Sequence, residues 1–333
     1  MSGIKRVAER AGVSRATAAR AFASPELVRQ STLNRILEAA DALNFRPNRL
    51  ARQLRQKTTR LIGVILPSLI NPVFAEQLHA MEHAARRRGY ALLIATTDYC
   101  ADREREMLED LLRQQVDGLV LTVADADGSE LLARLATEST PFVLAYHQPS
   151  RPYAAVSVDN HEGMAMATRF LIQAGHKRIA MVTGPQVESD RARQRVAGYQ
   201  TAMQAHGLAV MPTLEMPAHT QACPRVLAER ISPSGPTALL CTNDLLAISV
   251  IGQLQRLGRR VPEDVSVVGF DGIAIGEEMY PSLCTVVQPI ETLGHTLIHE
   301  LLAQLDGAIP THHRLSCQIR AGESTKPLTE IPA

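Results

Sequence analysis

From residue 61 onward, short apolar runs rich in β-formers alternate with stretches of helical periodicity, and the whole alternation occurs twice. R-L-I-G-V-I-L-P, A-L-L-I-A-T-T, G-L-V-L-T-V and F-V-L-A-Y form the first series, separated by helical stretches such as 72 to 88 and 102 to 115. R-I-A-M-V-T-G at 178, T-A-L-L-C-T-N at 237 and V-S-V-V-G-F-D at 265 form the second. Strands this uniformly apolar are buried on both faces, and strands joined by helices pair in parallel. Two series predict two similar parallel-sheet lobes over 61–333, facing each other across a cleft. Ligands of open α/β sheets bind beyond the carboxyl ends of the strands. Polar residues at those ends are therefore the candidates: Ser68 and Asn71, Asp159 and Asn160, Asn243 and Asp244, and Asp271. Asp and Asn after a strand are equally good helix N-caps, so either role fits them.

The first sixty residues differ in charge. They carry thirteen Lys and Arg against four acids, a balance of +9, which leaves −8 for the rest of a chain whose net charge is +1. A basic end beside an acidic body points to a polyanion partner, because each neutralised phosphate releases counterions. The segment is not a solvated tail, since its apolar residues recur at helical spacing: Ile4, Val7, Ala8 and Ala11, then Val13, Ala18, Ala21 and Phe22, then Leu33, Leu37, Ala40 and Leu43. Gly12 suits a helix stop and Ser14 an N-cap, so a turn of about three residues joins the first two helices, which is helix-turn-helix spacing. In that geometry the second helix enters the major groove by its N-terminal end. Arg15 and Ala16 then face base edges, Thr17 reaches a phosphate and Arg20 lies one turn and a residue further on. Alanines let the helix approach the groove floor, and an arginine presents two donors to guanine.

These residues carry a resemblance. I-K-R-V-A-E-R-A-G-V-S-R-A-T-A-A-R-A-F followed by F-R-P-N-R-L-A-R-Q-L resembles the headpiece and hinge of the lactose/galactose repressor (LacI/GalR) family of bacterial transcriptional regulators. The resemblance implies a helix-turn-helix domain over 1–45 and a hinge helix and linker over 46–60. Asn48, Arg49, Ala51 and Gln53 would lie in the minor groove, with Leu54 as a wedge between base pairs. Ala19 stands where the family usually has Ser. Arg29 stands where it has a Ser or Thr cap, so the third helix either shifts its cap to Ser31 or starts with a weaker one. N-P-V-F, V-D-G-L-V-L, S-V-D-N, R-V-A-G-Y, C-T-N-D and V-S-V-V-G-F-D resemble that family's periplasmic-binding-protein-like effector core. It implies Arg195, Asn243 and Asp271 as ligand grips, with Asp159 and Phe74 in the pocket wall.

Together these readings predict an N-terminal all-α helix-turn-helix headpiece on a two-lobed α/β core. The implied function is a repressor that binds palindromic operator DNA as a homodimer and responds to a small-molecule effector. P-S-L-I-N-P-V-F-A-E resembles the opening stretch of gluconate-type regulators, which favours a sugar or sugar acid; a purine sits less well with 4% aromatic residues. The alternative is a sugar-binding receptor or sugar-processing enzyme on the same double plan. A receptor would need export and no basic headpiece, and an enzyme would need a base with a nucleophile or phosphate loop, so no enzymatic activity is expected. No G-x-x-x-x-G-K-[ST], G-x-G-x-x-G or G-x-S-x-G motif occurs. No cofactor or metal is expected: His295 and His299 lie at i and i+4 without a third ligand, and five scattered cysteines form no C-x-x-C pair. D-R-E-R-E-M-L-E-D at 102 reads as a solvated helix face, and the cysteines read as small core residues. Without a leader-like or membrane-length apolar run, the chain is expected in the cytoplasm.

Overall fold

The computed structural model describes residues 3–23, 25–45, 58–232 and 234–328. Met1–Thr59 and Arg60–Ala333 are two compact units. In the first, α1 (Gly3–Arg10), α2 (Arg15–Ala23) and α3 (Gln30–Ala42) close around Val7, Ala11, Ala21, Ile36, Ala39 and Ala40. Gly12 has φ of +63° and ends α1 in the left-handed region that glycine tolerates. The Ser14 hydroxyl accepts the Thr17 N–H at 3.1 Å and so caps α2. α3 starts after Arg29 with no side-chain cap, so the cap does not move to Ser31. Its core residue is Ile36, fully buried, whereas Leu37 is 44% exposed. Both phases satisfy the spacing of Leu33, Ala40 and Leu43, and packing on α1 selects the one containing Ile36.

In the second unit, among the described residues, two six-stranded sheets stand in separate lobes. Lobe 1 contains β1 (Leu61–Leu66), α4 (Pro72–Arg87), β2 (Ala91–Thr96), α5 (Ala101–Arg113), β3 (Gly118–Leu121), α6 (Glu130–Thr137), β4 (Phe142–Ala145) and β5 (Ala155–Val158). Lobe 2 contains α7 (Asn160–Gln173), β6 (Ile179–Thr183), α8 (Asp190–Ala205), β7 (Leu214–Glu215), α9 (Pro224–Arg230), β8 (Ala238–Cys241), α10 (Asp244–Arg256), β9 (Ser266–Asp271), α11 (Ile275–Glu278) and β10 (Cys284–Val287). The chain then returns to lobe 1 with α12 (Ile290–Leu305) and β11 (His312–Leu315), and ends its sheet work in lobe 2 with β12 (Gln318–Arg320).

The strand orders are β2-β1-β3-β4-β5-β11 and β7-β6-β8-β9-β10-β12, the same doubly wound plan twice. Every pairing is parallel except β10 with β12, an antiparallel edge of the kind that mostly parallel sheets often carry. Each sheet is covered on both faces. Ile62, Val64 and Val120 pack against Phe74, Met81, Leu293 and Leu297 on one side of sheet 1, and Ile65, Leu119 and Leu121 against Leu108, Leu111 and Leu132 on the other. The lobes are joined three times among the described residues, through Asp159, through Gln288 and Pro289, and through Ser316 and Cys317.

Several sequence expectations need correcting here. Glu104 is not solvated: it is 7% exposed, and its Oε1 accepts the Ala124 N–H at 2.8 Å. Of the cysteines only Cys241 and Cys284 are buried, while Cys100 is exposed at the start of α5. No helix among the described residues is long and apolar enough to cross a membrane.

Candidate functional sites: a helix surface and an interlobe cleft

α2 has two faces. Ala18 and Ala21 are buried against α1 and α3, whereas Ser14, Arg15, Ala16 and Arg20 are exposed and Thr17 is half-buried. The exposed face therefore combines two long cations with a methyl-sized floor. Ser14 and Thr17 are tied to each other, Oγ to Oγ1 at 2.8 Å, which fixes the start of the helix. Asn48, Arg49, Ala51, Gln53 and Leu54 lie outside the described residues.

The cleft of the second unit is lined from both lobes. Asn71, Phe74, Tyr99 and Tyr146 come from lobe 1, and Ser189, Arg191, Arg195, His219, Thr242, Asn243 and Asp271 from lobe 2. Its open space is about 50 Å³, room for roughly three or four waters, so the two walls nearly meet. Arg195 and Asp271 sit at its centre. Arg195 Nε donates to Asn160 Oδ1 at 2.8 Å, Nη1 donates to the Thr242 carbonyl and to Asp271 Oδ1 at 3.4 Å, and the guanidinium lies 3.6 Å over the Phe270 ring. Asp271 also accepts from Gln288 Nε2 at 2.8 Å and, across the cleft, from Asn71 Nδ2 at 3.3 Å.

Burial lifts the Asp271 carboxyl to about 7 against the pull of Arg195, and the nearby Asp244 pushes the same way as burial. Asp271 has φ of +130°, and Tyr146 and Tyr99 have φ of +71° and +60°. Such strain persists only where surrounding contacts enforce it, and it collects at functional sites. Three buried polar atoms of this cleft, Tyr146 Oη, Thr242 Oγ1 and Gln288 Oε1, have no hydrogen-bond partner among the described residues. Each such atom costs free energy unless a guest satisfies it.

In the same cleft Tyr99 stacks on His219 with centroids 4.2 Å apart. Burial, helped by Arg191, lowers His219 to about 4, so its 3.1 Å contact with Glu188 is a hydrogen bond from a neutral ring.

Sequence reasoning placed Asn71, Phe74, Arg195, Asn243 and Asp271 in this cleft, where they lie. Asn71 and Asn243 also cap α4 and α10, accepting from Val73 and Leu246. Ser68 and Asp159 do not line it. The Ser68 hydroxyl turns back to accept the Ile70 N–H at 3.1 Å. Asp159 caps α7 by accepting the Glu162 N–H at 2.8 Å and pairs with Arg314, so its carboxylate is committed to the joint between the lobes. Asp244 is a structural lock, holding Thr285 Oγ1 at 2.5 Å and the Gly272 and Ile273 N–H groups at 2.8 Å. Tyr99, Tyr146, Ser189, Arg191, His219 and Gln288 escaped sequence reasoning. Arg191 left a signal, since it stands four residues before Arg195 and therefore on the same helix face.

Comparison with known proteins agrees with both halves. Residues 3–48 match the model of bacterial regulatory proteins of the lacI family, and residues 168–325 match the periplasmic binding protein-like domain. The chain is 33% identical over 313 residues to the HTH-type transcriptional repressor PurR of Aliivibrio salmonicida, covering 92% of each chain. It is 33% identical over 315 residues to PurR of Pasteurella multocida, again over 92% of each. Among solved structures, the lac repressor dimer bound to operator and the anti-inducer ONPF superposes with a TM-score of 0.84 at 26% identity, over 96% of this chain and 98% of that one. The complex of the transcriptional regulator CelR with cellobiose gives 0.71 at 27%, over 97% and 100%. A helix-turn-helix unit with an open cationic face, joined to a doubly wound pair of lobes around a polar cleft, thus places the chain in the lacI family of DNA-binding transcriptional regulators, to which it belongs.

Proposed function

We propose that the protein is a repressor that binds a palindromic operator as a dimer and senses a small polyhydroxylated effector, a sugar or sugar acid such as gluconate, between its lobes. Residues 1–45 read DNA, 46–60 form the hinge and 61–333 hold the effector. Arg15, Ala16 and Arg20 meet base edges, Ser14 and Thr17 meet the backbone, and Asn48, Arg49, Ala51, Gln53 and Leu54 engage the minor groove. The observation that carries the effector reading is the donor and acceptor balance of the cleft. Asp271, Gln288 Oε1, Tyr146 Oη and Thr242 Oγ1 accept from hydroxyls, and Arg191 and Arg195 offer donors and positive charge to an anionic head. Phe74 supplies an apolar wall. The cellobiose complex of CelR and the ribose complex of an Enterococcus faecium regulator support a carbohydrate in such a cleft.

A second reading takes a planar nucleobase, favoured by the stacked Tyr99 and His219 rings and by the T-shaped Phe74 and Tyr146 pair at 5.9 Å. Two measurements decide. Mobility-shift titration on the native promoter should show palindrome-dependent, salt-sensitive binding, and its absence refutes the repressor reading. Calorimetry of the full chain with D-gluconate, glucose and hypoxanthine should give heat with the first; heat with hypoxanthine alone transfers the site to the second reading.

A further inference from the structure

Beside the cleft-lining Arg191 one histidine joins the two lobes. His147 follows β4 in lobe 1, is fully buried, and meets the first turn of α8 in lobe 2. Its Nε2 accepts from the Val123 N–H at 3.0 Å and from Arg191 Nη1 at 3.1 Å. A nitrogen that accepts twice carries no proton. The ring proton is therefore on Nδ1, which donates to Asp190 Oδ2 at 2.7 Å. The two Nη1 protons of Arg191 are shared among His147 Nε2, the Val123 carbonyl at 2.9 Å and Asp190 Oδ1 at 3.2 Å, and the Asp190 N–H donates to the Ala124 carbonyl at 3.0 Å. Arg191 is thereby held from lobe 1 while its guanidinium lines the effector cleft.

We infer that His147 is a positioning residue for the effector site: as the neutral Nδ1–H tautomer it fixes Arg191 across the cleft, and its protonation unlatches the lobes. The inference rests on the cleft being the effector site. A protonated ring would present Nε2–H to the Val123 N–H and to the Arg191 cation, donor against donor and charge against like charge. The other groups facing it are Asp190 on α8, Asp125 after β3 and His312 on β11; Asp125 is paired with Arg193 at 3.0 Å, and Glu104 on α5 acts on Arg191 and Asp190 rather than on the ring. Burial lowers His147 below the ordinary 6.5, Asp190 opposes that, and Arg191 assists it. Burial also works on Asp190 by raising it, but the hydrogen bond from His147 and the charge of Arg191 prevail and keep it ionised. In an opened protein the ring meets water and regains its ordinary affinity for protons. The latch is therefore whole above pH 6.5 and is lost as pH falls below that toward the lower value of the closed state.

Long-range proton–nitrogen spectra of the ¹⁵N-labelled full chain test the tautomer, with His147→Gln identifying the ring. The expected ring is Nδ1–H at pH 7.5 and gains its second proton only as the lobes open, at a lower pH than an ordinary imidazole. Solution scattering at fixed concentration should show the parent chain expanding between pH 7 and pH 5 with unchanged far-UV dichroism. H147Q keeps an acceptor near the Nε2 position without a titrating proton, so its dimensions should not change. His147→Asn keeps only the donor to Asp190 and should be expanded at both pH values. With D-gluconate as probe, affinity of the parent should fall by up to about tenfold per pH unit over the range in which the lobes open and the ring protonates, and that of H147Q should stay level. An Nε2–H tautomer, a ring titrating at its ordinary value, or equal acid expansion in H147Q overturns the inference. Gluconate giving no heat at any pH overturns the gluconate reading instead, while tautomer and scattering still decide the latch.

Discussion

Gly198→Ala and Gly252→Ala are one substitution made in the interiors of two lobe 2 helices, and they should move stability in opposite directions. A Cβ at Gly198 would stand 2.0 Å from the carbonyl oxygen of His161 and 2.8 Å from its carbon. Those atoms are α7 backbone and cannot rotate aside, so α7 must retreat until the contact exceeds 3.0 Å. Overpacking of this kind costs roughly 1–3 kcal/mol, and a rigid backbone obstacle belongs at the upper end. Alanine returns about 1 kcal/mol of helix propensity, which leaves a net loss near 2 kcal/mol. At Gly252 nothing lies within 4 Å of the new methyl, so only the propensity remains. With about 2–4 °C per kcal/mol for a body of this size, G198A should melt roughly 4–8 °C below the parent and G252A a few degrees above it. Scanning calorimetry at one protein concentration reads both. A G198A chain as stable as the parent would mean that α7 and α8 do not cross as closely as described.

Three further outcomes are expected. Ser14→Ala removes the α2 cap and should cost the headpiece about 1 kcal/mol, seen as a lower melting temperature of the headpiece helices by far-UV dichroism that Ser14→Gly largely restores. Arg20→Ala should cost roughly 1–3 kcal/mol in operator affinity and relax selection at one base position per half-site; uniform loss on all sequences would contradict base reading. Asp271, raised to about 7 from an ordinary 3.8, keeps a proton in the folded state that the unfolded chain releases. Its contribution is whole below pH 3.8 and is lost as pH rises through 7, opposite in direction to His147. Asp271→Asn should flatten that part of the urea-unfolding profile between pH 4.5 and 7.5, and an unchanged slope would show that the carboxyl stays ionised throughout.

Features set by neighbouring residues were legible in the sequence. Gly12 and Ser14 punctuate α1 and α2 through local backbone geometry, and the alternation of apolar runs with helices carries the doubly wound plan of both lobes. Ile36 was not legible, because a thirteen-residue helix satisfies two adjacent phases equally and only the packing of α1 chooses between them. Asp159 and Ser68 were misplaced for a chemical reason: a short polar side chain after a strand serves a helix N-terminus as readily as a ligand. Tyr99, Tyr146, His219 and Gln288 come from four separate connections and meet only after both sheets form. The links after β2 and β4 carry no motif that hints at that meeting.

The three links through Asp159, Gln288–Pro289 and Ser316–Cys317 also limit what the lobes can do. Two bodies tied once may swivel about any axis, but three ties, from β5 into α7, from β10 into α12 and from β11 into β12, with β5 beside β11 and β10 beside β12, restrict the swivel to a single scissor-like angle. The effector proposed to sit between the blades would then have one coordinate to set, so its concentration would be converted into an angle.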